Sequence, residues 1–364
     1  MSEIFSSYDV GESFFPDAYA SERWCEREKA RLFKEKWLMV GREEDTRNDG
    51  DFFCLDILGE SIFIANSDNN IHAFYNVCPH RGMKLREGQG NSASVVCPFH
   101  GWAFSNDGEV FSHPGVRDGE EGFDNCLHGL KKIHCEVSGG FVWVNFSKHP
   151  APLRDQIGSL EEDVLTPFDT GGLTCYKKKE SFLQANWKLY LEVGMENLHI
   201  PFVHRASIGK QALSRVKTAG EWQCLEMEGA GTASLPRHLR GELKNIESLD
   251  RKVTRFCLVY PNLFIVATVD SVWWAQTWPV SPGTCVVKFG FCVPKSSFER
   301  DDFEEIIKPY ERHWSQVISE DEAIIQRHQK GLKKASSVFY TRYEKEVEKF
   351  HGWLKSAFVE PQSI

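Results

Sequence analysis

Cys78-Pro-His80-Arg-Gly82 and Cys97-Pro-Phe-His100-Gly-Trp102 are the two stretches of sequence that decide the fold. Each brings one cysteine and one histidine into a short loop, with a proline and a glycine that favour tight turns. Two thiolates and two imidazoles can hold a [2Fe-2S] cluster, with the sulfurs on one iron and the nitrogens on the other. Structural zinc accepts the same ligands, but zinc modules usually pair C-x-x-C with a separate histidine pair.

These loops resemble the cluster motifs of the Rieske family, and the resemblance extends to Trp102 and the strand-like run 139–146. It implies that a Rieske [2Fe-2S] cluster is bound by Cys78, His80, Cys97 and His100. One position departs from the family, because Phe99 stands where many members have tyrosine. The missing hydroxyl removes a hydrogen-bond donor near the cluster and leaves its potential open.

Length and charge restrict the class of protein. A chain of 364 residues is too long for a lone electron carrier and suits two domains. A net charge of −9 argues against nucleic acid or an anionic membrane surface as the main partner. No segment approaches the roughly twenty apolar residues that span a bilayer. The first residues also lack a basic and apolar leader, so we expect an acidic cytoplasmic enzyme.

Composition predicts three segments. Residues 1–37 form an N-terminal helical segment that packs on the catalytic domain, with a helix starting near Ser21 and burying Ala30, Phe33 and Trp37. In this pattern Trp24 lies off the buried face. Residues 38–150 contain short strand-like runs broken by Gly, Asn and Asp, which predicts a small all-β Rieske domain.

Residues 151–364 mix helical and strand-like runs. Helices are expected over about 186–199 and 303–333, and strands over 255–270, 272–280 and 285–294. Strands that cluster in sequence favour an antiparallel sheet flanked by helices. The predicted fold class is therefore α+β, with a small all-β domain and a larger catalytic domain.

A second candidate metal site lies in the E-x-x-H-x-x-x-x-H pattern of Glu196, His199 and His204. Glu196 and His199 share a helix face, but His204 does so only if Pro201 bends or ends the helix. Two histidines and one carboxylate on one face of Fe(II) form the facial triad of non-haem oxygenases. Isolated histidines are more often ordinary surface or core residues, so the pattern alone is a modest signal.

Beside the cluster motif, this pattern resembles the oxygenase component, or alpha subunit, of Rieske non-haem iron oxygenases. In that family Glu196 matches a bridging acid, so the third iron ligand must lie elsewhere. Positions 318, 321, 325, 328 and 332 form an inward helical stripe that contains Asp321. Glu320 and Glu322 lie about 100° from it on either side. We predict Asp321 as the ligand; the alternative is a solvent-facing acid.

The resemblance implies a mechanism and partners. A reductase, possibly with a ferredoxin, delivers NAD(P)H-derived electrons to the cluster, and mononuclear Fe(II) then activates O₂ on a small substrate. Electrons pass from His80 or His100 through Glu196 to His199 or His204 of a neighbouring subunit, which implies a homotrimer. Monooxygenation and dioxygenation both stay open.

The substrate is open between an aromatic compound and a methylated amine. Glutamate at position 196, where many members have aspartate, resembles members that act on quaternary ammonium compounds, and Val193 stands where many have asparagine. Trp273, Trp274 and Trp278 either cage a cation or form ordinary core. Two other functions are alternatives for the same motifs: a Rieske electron-transfer protein with a non-catalytic second domain, and a zinc-stabilised interaction module.

Overall fold

The computed structural model describes residues 16–117, 123–124, 128–209, 211–229, 253–268, 271–335 and 338–358. These residues divide into two compact units. The smaller unit runs from Lys34 to Leu153, and the larger combines the described residues up to Phe33 with those from Arg154 onward. The domain limits 1–37, 38–150 and 151–364 stay a prediction. No described helix is both long and apolar enough to cross a membrane.

The smaller unit is built from strands. They are β1 (Leu38–Arg42), β2 (Asp51–Ile57), β3 (Glu60–Ser67), β4 (Asn70–Tyr75), β5 (Gln89–Asn91), β6 (Val95–Val96), β7 (Ala103–Phe104), β8 (Val110–Ser112), β9 (Lys132–Ser138) and β10 (Phe141–Asn145). Seven form an antiparallel sheet in the order β1-β10-β9-β4-β3-β2-β5, and β6-β7-β8 form a second sheet. Cys78 follows β4 and Cys97 follows β6. Both cysteines pack in one apolar core with Phe63 and Phe74.

The larger unit combines one sheet with helices. Its strands are β11 (Leu173–Leu183), β12 (Gln211–Thr218), β13 (Trp222–Gly229), β14 (Val253–Val259), β15 (Leu263–Ala267), β16 (Val272–Ser281) and β17 (Thr284–Pro294). They pair antiparallel in the order β11-β17-β16-β15-β14-β13-β12. The helices are α1 (Glu22–Glu28), α2 (Leu153–Ile157), α3 (Trp187–Val193), α4 (Ile200–Val203), α5 (Phe303–Leu332) and α6 (Lys345–Ser356). The predicted α+β class is confirmed.

Helix α5 carries the inward stripe that the sequence predicted. Its apolar residues recur every three or four positions, and among them Trp314, Ile318 and Ile325 are at most 2% exposed. Asp321 lies in the same stripe with 17% of its side chain exposed. The placement of His328 on this face was wrong, because that residue is exposed.

The N-terminal helix differs from its prediction. Helix α1 passes into a π-helical turn over Lys29–Phe33, where the helix ends. Ala30 is exposed, so the predicted buried face was wrong at that position. Trp24, which lies off the predicted stripe, is buried and packs on a second surface. A polar contact explains this difference. Glu28 points inward and bonds with Lys188 of α3, so the face of α1 that carries Glu28 is the buried one.

Two other elements are shorter than predicted. The helix expected over 186–199 begins after Asn186, whose side-chain oxygen accepts from the Lys188 N–H at 3.1 Å, and ends at Val193. The strand expected over 255–270 is the hairpin of β14 and β15, and its last two residues lie outside the described part of the chain. Pro261 falls in the turn because proline has no N–H for a ladder bond.

Candidate cluster and metal sites

The two Cys-His loops of the smaller unit have the same backbone geometry. In each loop the cysteine N–H donates to the carbonyl five residues later, at 2.8 Å from Cys78 and 2.7 Å from Cys97. The N–H of the glycine four residues on donates back to the cysteine carbonyl. Gly82 and Gly101 have φ values of +75° and +73°, which favour glycine. Two matching turns therefore present the four predicted ligands.

The ligand side chains of these loops converge. The rings of His80 and His100 have centroids 4.7 Å apart, and His80 stacks on Trp102 at 5.0 Å. Burial raises the pKa of the Cys78 thiol, and the neighbouring Cys97 thiol raises it further, although the backbone N–H groups of His80 and Arg81 donate to the Cys78 sulfur and act in the opposite direction. Nδ1 of His100 is buried with no hydrogen-bond partner among the described residues. A metal is a fitting partner for that nitrogen, so the donor set fits a two-iron cluster.

The second site lies in the larger unit, between α3 and α4. The carboxylate of Glu196 accepts from the backbone N–H groups of Leu198 and His199, the latter at 3.2 Å, and so starts a new turn. Pro201 sits in the first turn of α4, a position where its missing N–H costs nothing. The histidines thus flank α4, with ring centroids 5.1 Å apart. The expected convergence comes from a break between two helices, not from a bend in one.

The structure brings His199, His204 and Asp321 together. Nε2 of His204 lies 2.8 Å from Oδ1 of Asp321, and Nε2 of His199 lies 3.8 Å from the same oxygen. The three ligand atoms all lie within 4.8 Å of one another. Two imidazole nitrogens and one carboxylate oxygen at this spacing fit the facial set that binds non-haem Fe(II).

Carboxylates also hold the outer nitrogens of both rings. Nδ1 of His199 is 2.6 Å from Oε1 of Glu196, and Nδ1 of His204 is 2.8 Å from Oε2 of Glu320. Burial alone would lower the pKa of His204, but the carboxylates of Asp321 and Glu320 outweigh it and raise that pKa. Burial likewise works against the charge of Glu320, yet bonds from Ser207, His204 and Gln316 lower its pKa.

Sequence reasoning missed Glu320. It lies beside Asp321 on α5, and helical phase placed it off the inward stripe. The signal available was the run Ser319-Glu320-Asp321, in which either acid can reach a buried partner. Only the position of His204, which inserts between the two carboxylates, shows that both contact one ring.

The three-residue site forms one wall of a recess with about 500 Å³ of empty space, a figure that includes the part open to solvent. Its other walls are largely apolar: Tyr190, Val193, Gly194, Ile200, Ile208, Leu225, Met227, Phe256, Phe264, Trp273 and Val317. The described lining contains no lysine or arginine, and besides the two histidines its ionisable groups that can carry a negative charge near neutral pH are Glu196 and Asp321.

Aromatic rings dominate one side of the recess. Phe264 meets Trp273 edge to face with centroids 5.7 Å apart, and Phe256 stacks on Phe264 at 6.4 Å. Burial, with Asp321 as a second cause, holds the pKa of Tyr190 well above its usual value, so its phenol stays neutral. Of the three tryptophans that the sequence offers as a cation cage or as core, only Trp273 is among the described residues that line this recess. Trp278 instead bonds to Gln276.

Two models of known families match this chain. Residues 36–133 match the model of the Rieske [2Fe-2S] domain, and residues 163–359 match that of the ring hydroxylating alpha subunit catalytic domain. The glycine betaine monooxygenase oxygenase subunit of Chromohalobacter salexigens is 32% identical over 51% of this chain and 42% of its own length. The carnitine monooxygenase oxygenase subunit of Escherichia coli K12 is 31% identical over 51% of this chain and 50% of its own length. The matches thus span about half the length of these relatives.

Longer alignments exist at lower identity. The glycine betaine monooxygenase oxygenase subunit of Pseudomonas aeruginosa is 23% identical over 96% of this chain and 90% of its own. A quaternary ammonium Rieske monooxygenase solved with L-carnitine aligns with a TM-score of 0.80 at 20% identity, covering 96% and 97% of the two chains. Naphthalene 1,2-dioxygenase with indole bound aligns with a TM-score of 0.74 at 20% identity, covering 90% and 83%. At these identities the structures show a shared fold.

Proposed function

We propose a function from one premise: the chain belongs to the family of ring hydroxylating alpha subunits and carries a Rieske [2Fe-2S] domain. We infer that it is a terminal oxygenase component that hydroxylates or oxidatively demethylates a small organic substrate with O₂. Because residues 36–133 match a [2Fe-2S] domain, an iron-sulfur cluster is favoured over structural zinc at the Cys-His loops. A match over residues 163–359 also weighs against an electron carrier whose second domain is non-catalytic.

One observation carries the proposal: His199, His204 and Asp321 present their ligand atoms at the wall of an otherwise largely apolar recess. The mononuclear Fe(II) and the cluster, when bound, supply O₂ activation and single-electron transfer. The chain supplies seven ligands, namely Cys78, His80, Cys97 and His100 for the cluster and His199, His204 and Asp321 for the iron. The apolar walls hold the substrate and limit the access of water.

Glu196 is proposed as the residue that links the iron site to a cluster of a neighbouring subunit. Its carboxylate is hydrogen-bonded to His199, and its side chain is 13% exposed. Close by in sequence, Phe202 of α4 leaves 84% of its surface exposed. A single exposed ring is ordinary on a protein surface, and the proposed interface rests on the resemblance to the family, in which electrons cross between subunits. We therefore keep the homotrimer as the proposed assembly.

The walls of the recess favour neutral aromatic substrates or organic cations. The aromatic residues Tyr190, Phe264 and Trp273 line the recess and suit either class. Acidic Glu196 and Asp321, with no lysine or arginine in the described lining, favour a cation over an anion near the iron. The names of the relatives, carnitine and glycine betaine monooxygenase, agree with a quaternary amine.

The proposed partners follow from the electron demand. An oxygenase component needs a reductase, with or without a ferredoxin, and draws on NAD(P)H only through it. The cytoplasm is the proposed compartment, because NAD(P)H is available there.

Substrate-stimulated O₂ consumption tests the proposal. The purified protein, with a surrogate reductase and NADH, is offered separate panels of aromatic compounds and quaternary amines, and product is measured in each reaction. We expect one panel to stimulate O₂ uptake with matching product, and an Asp321→Ala variant to give none. Full iron loading without any substrate-dependent product in either panel would contradict the proposed activity.

A further inference from the structure

His204 is held between two carboxylates that are adjacent on α5. Its Nδ1 lies 2.8 Å from Glu320 Oε2, and its Nε2 lies 2.8 Å from Asp321 Oδ1. The imidazole is 1% exposed, so no solvent competes for either nitrogen. The two carboxylates differ in which histidines they contact. Asp321 lies near both His204 and His199, whereas Glu320 contacts His204 alone of the two, at its outer nitrogen Nδ1.

The two ring nitrogens cannot play the same role in metal binding. A neutral imidazole carries its proton on one nitrogen, and the other presents a lone pair. A carboxylate accepts but does not donate, so a proton on Nδ1 satisfies Glu320 and leaves the lone pair on Nε2. Nε2 is the nitrogen that faces Asp321, whose Oδ1 also lies 3.8 Å from Nε2 of His199.

Glu320 is itself fixed by other side chains. Its Oε2 also accepts from Ser207 Oγ at 2.5 Å, and its Oε1 accepts from Gln316 Nε2 at 2.9 Å. Gln316 lies one helical turn earlier on α5, and Ser207 follows α4 three residues after His204. Both oxygens are therefore engaged, and the carboxylate is held in one orientation toward Nδ1.

We propose that Glu320, fixed by Ser207 and Gln316, is a positioning residue that orients His204 and sets the tautomer whose Nε2 binds the iron. The inference rests on the proposed function, which assigns Fe(II) to the three-residue site. Carboxylates that accept from the outer nitrogen of a ligating histidine typically change metal affinity 10- to 100-fold when removed. Glu196 makes the same contact with His199, so each iron-binding ring has its own carboxylate.

The test is the dissociation constant of Fe(II) at the mononuclear site, measured by anaerobic equilibrium dialysis with cluster iron subtracted. Glu320→Ala should weaken binding about 10- to 100-fold. Glu320→Gln should stay within a few fold, because its amide oxygen still accepts from Nδ1 and Ser207 once the Gln316 amide turns over. Glu311→Gln on the same helix, whose exposed pair with Lys177 is far along α5, is the matched control and should match the unaltered protein.

A second variant tests whether Ser207 affects Fe(II) binding through Glu320. Ser207→Ala should weaken Fe(II) binding less than Glu320→Ala, and adding it to Glu320→Ala should cause no further loss, because Ser207 acts through Glu320. The cluster absorption and the thermal unfolding of each iron-depleted variant establish that the fold is kept. A merely structural role would shift unfolding of the iron-depleted protein without separating the Ala and Gln variants in affinity.

Three results would overturn the inference: Fe(II) affinity of Glu320→Ala within twofold of the unaltered protein, equal losses for the Ala and Gln variants, or an equal loss in Glu311→Gln. These affinities do not depend on turnover. Absence of product from the unaltered, iron-loaded protein would count against the proposed function alone, and the ratios of dissociation constants would still decide the role of Glu320.

Discussion

Nζ of Lys188 lies 2.6 Å from Oε1 of Glu28, and both side chains are fully buried although 160 residues separate them. The other carboxylate oxygen of Glu28 accepts from the indole N–H of Trp187 at 2.8 Å, and Lys188 also donates to the carbonyl of Ala18 at 3.0 Å. These bonds attach the N-terminal segment to α3, the helix that precedes the iron site.

Glu28→Gln should lower the free energy of unfolding by about 3–5 kcal/mol, because it leaves the ammonium of Lys188 buried without its counter-charge. Denaturant titration followed by circular dichroism measures this change. Glu26→Gln removes an exposed carboxylate from the same helix and should cost about 1 kcal/mol or less. Equal losses in the two variants would show that the buried pair has no special weight.

Asp321→Ala should lose the mononuclear iron while the visible spectrum of the cluster survives, because the carboxylate is the one anionic ligand in the proposed set. Iron per chain and the cluster absorption are measured on the same sample. Asp302→Ala, at the exposed start of α5, is the control and should keep all iron. Retained mononuclear iron in Asp321→Ala would point to another carboxylate.

A feature can be predicted from the sequence when the residues that determine it lie close together in the chain. The Cys-His loops are local, since Cys78 and His80 are two residues apart, and a motif of this kind predicted the Rieske domain that the family match confirms. The phase of α5 predicted that Asp321 points inward, because a 30-residue helix keeps its register. The role of Asp321 as a ligand stays a prediction.

The missed features depend on tertiary contacts. Helical phase gives the direction of Glu320 on its own helix but not the position of His204, more than 100 residues away in sequence. Glu28 lies on the buried face of α1 because it forms an ion pair with Lys188. A charged residue on a buried face does not fit the apolar periodicity from which buried positions are predicted. Sequence periodicity therefore predicted Ala30 as buried where the structure exposes it.

Gly194→Ala should disturb the recess, since a Cβ at Gly194 would lie 2.7 Å from the ring of Phe264. We expect a loss of about 1–3 kcal/mol in stability and a raised KM, because the ring must move into the space of the substrate. Gly352→Ala, where nothing lies within 4 Å of the added Cβ, is the matched control. Phe264→Leu in the Gly194→Ala background should recover stability, and no recovery would contradict this account.

Glu192 should make unfolding depend on pH. Burial opposes its charge, but the His351 ring at 2.9 Å and the Tyr19 hydroxyl at 2.7 Å outweigh burial and lower the pKa of the carboxyl below its usual 4.5. A lowered pKa stabilises the fold above the unfolded value and loses that contribution as pH falls through the folded value. The unaltered protein should therefore exceed Glu192→Gln in stability at pH 7, and the gap should close below about pH 4.5.

Denaturant titrations at several pH values measure that gap. Glu304→Gln, an exposed carboxylate on α5, should follow the curve of the unaltered protein throughout. A gap between the unaltered protein and Glu192→Gln that stays constant down to acid pH would show that the carboxylate acts through packing and not through its charge.

The Glu196→Gln variant tests whether Glu196 serves electron delivery to the iron in addition to iron binding. The single amide oxygen of glutamine can still accept from Nδ1 of His199, although the NH₂ group then replaces the oxygen that accepts from the backbone N–H groups of Leu198 and His199. Because the iron ligands themselves are unchanged, we expect both the cluster and the mononuclear iron to stay bound. The loss of the negative charge alters the proposed link between centres, and coupled turnover should fall about 10- to 100-fold. Turnover with reductase, iron per chain and cluster absorption are measured together. Because the iron ligands are untouched, unchanged turnover at full iron occupancy would remove Glu196 from the electron path and leave it only the role of orienting His199.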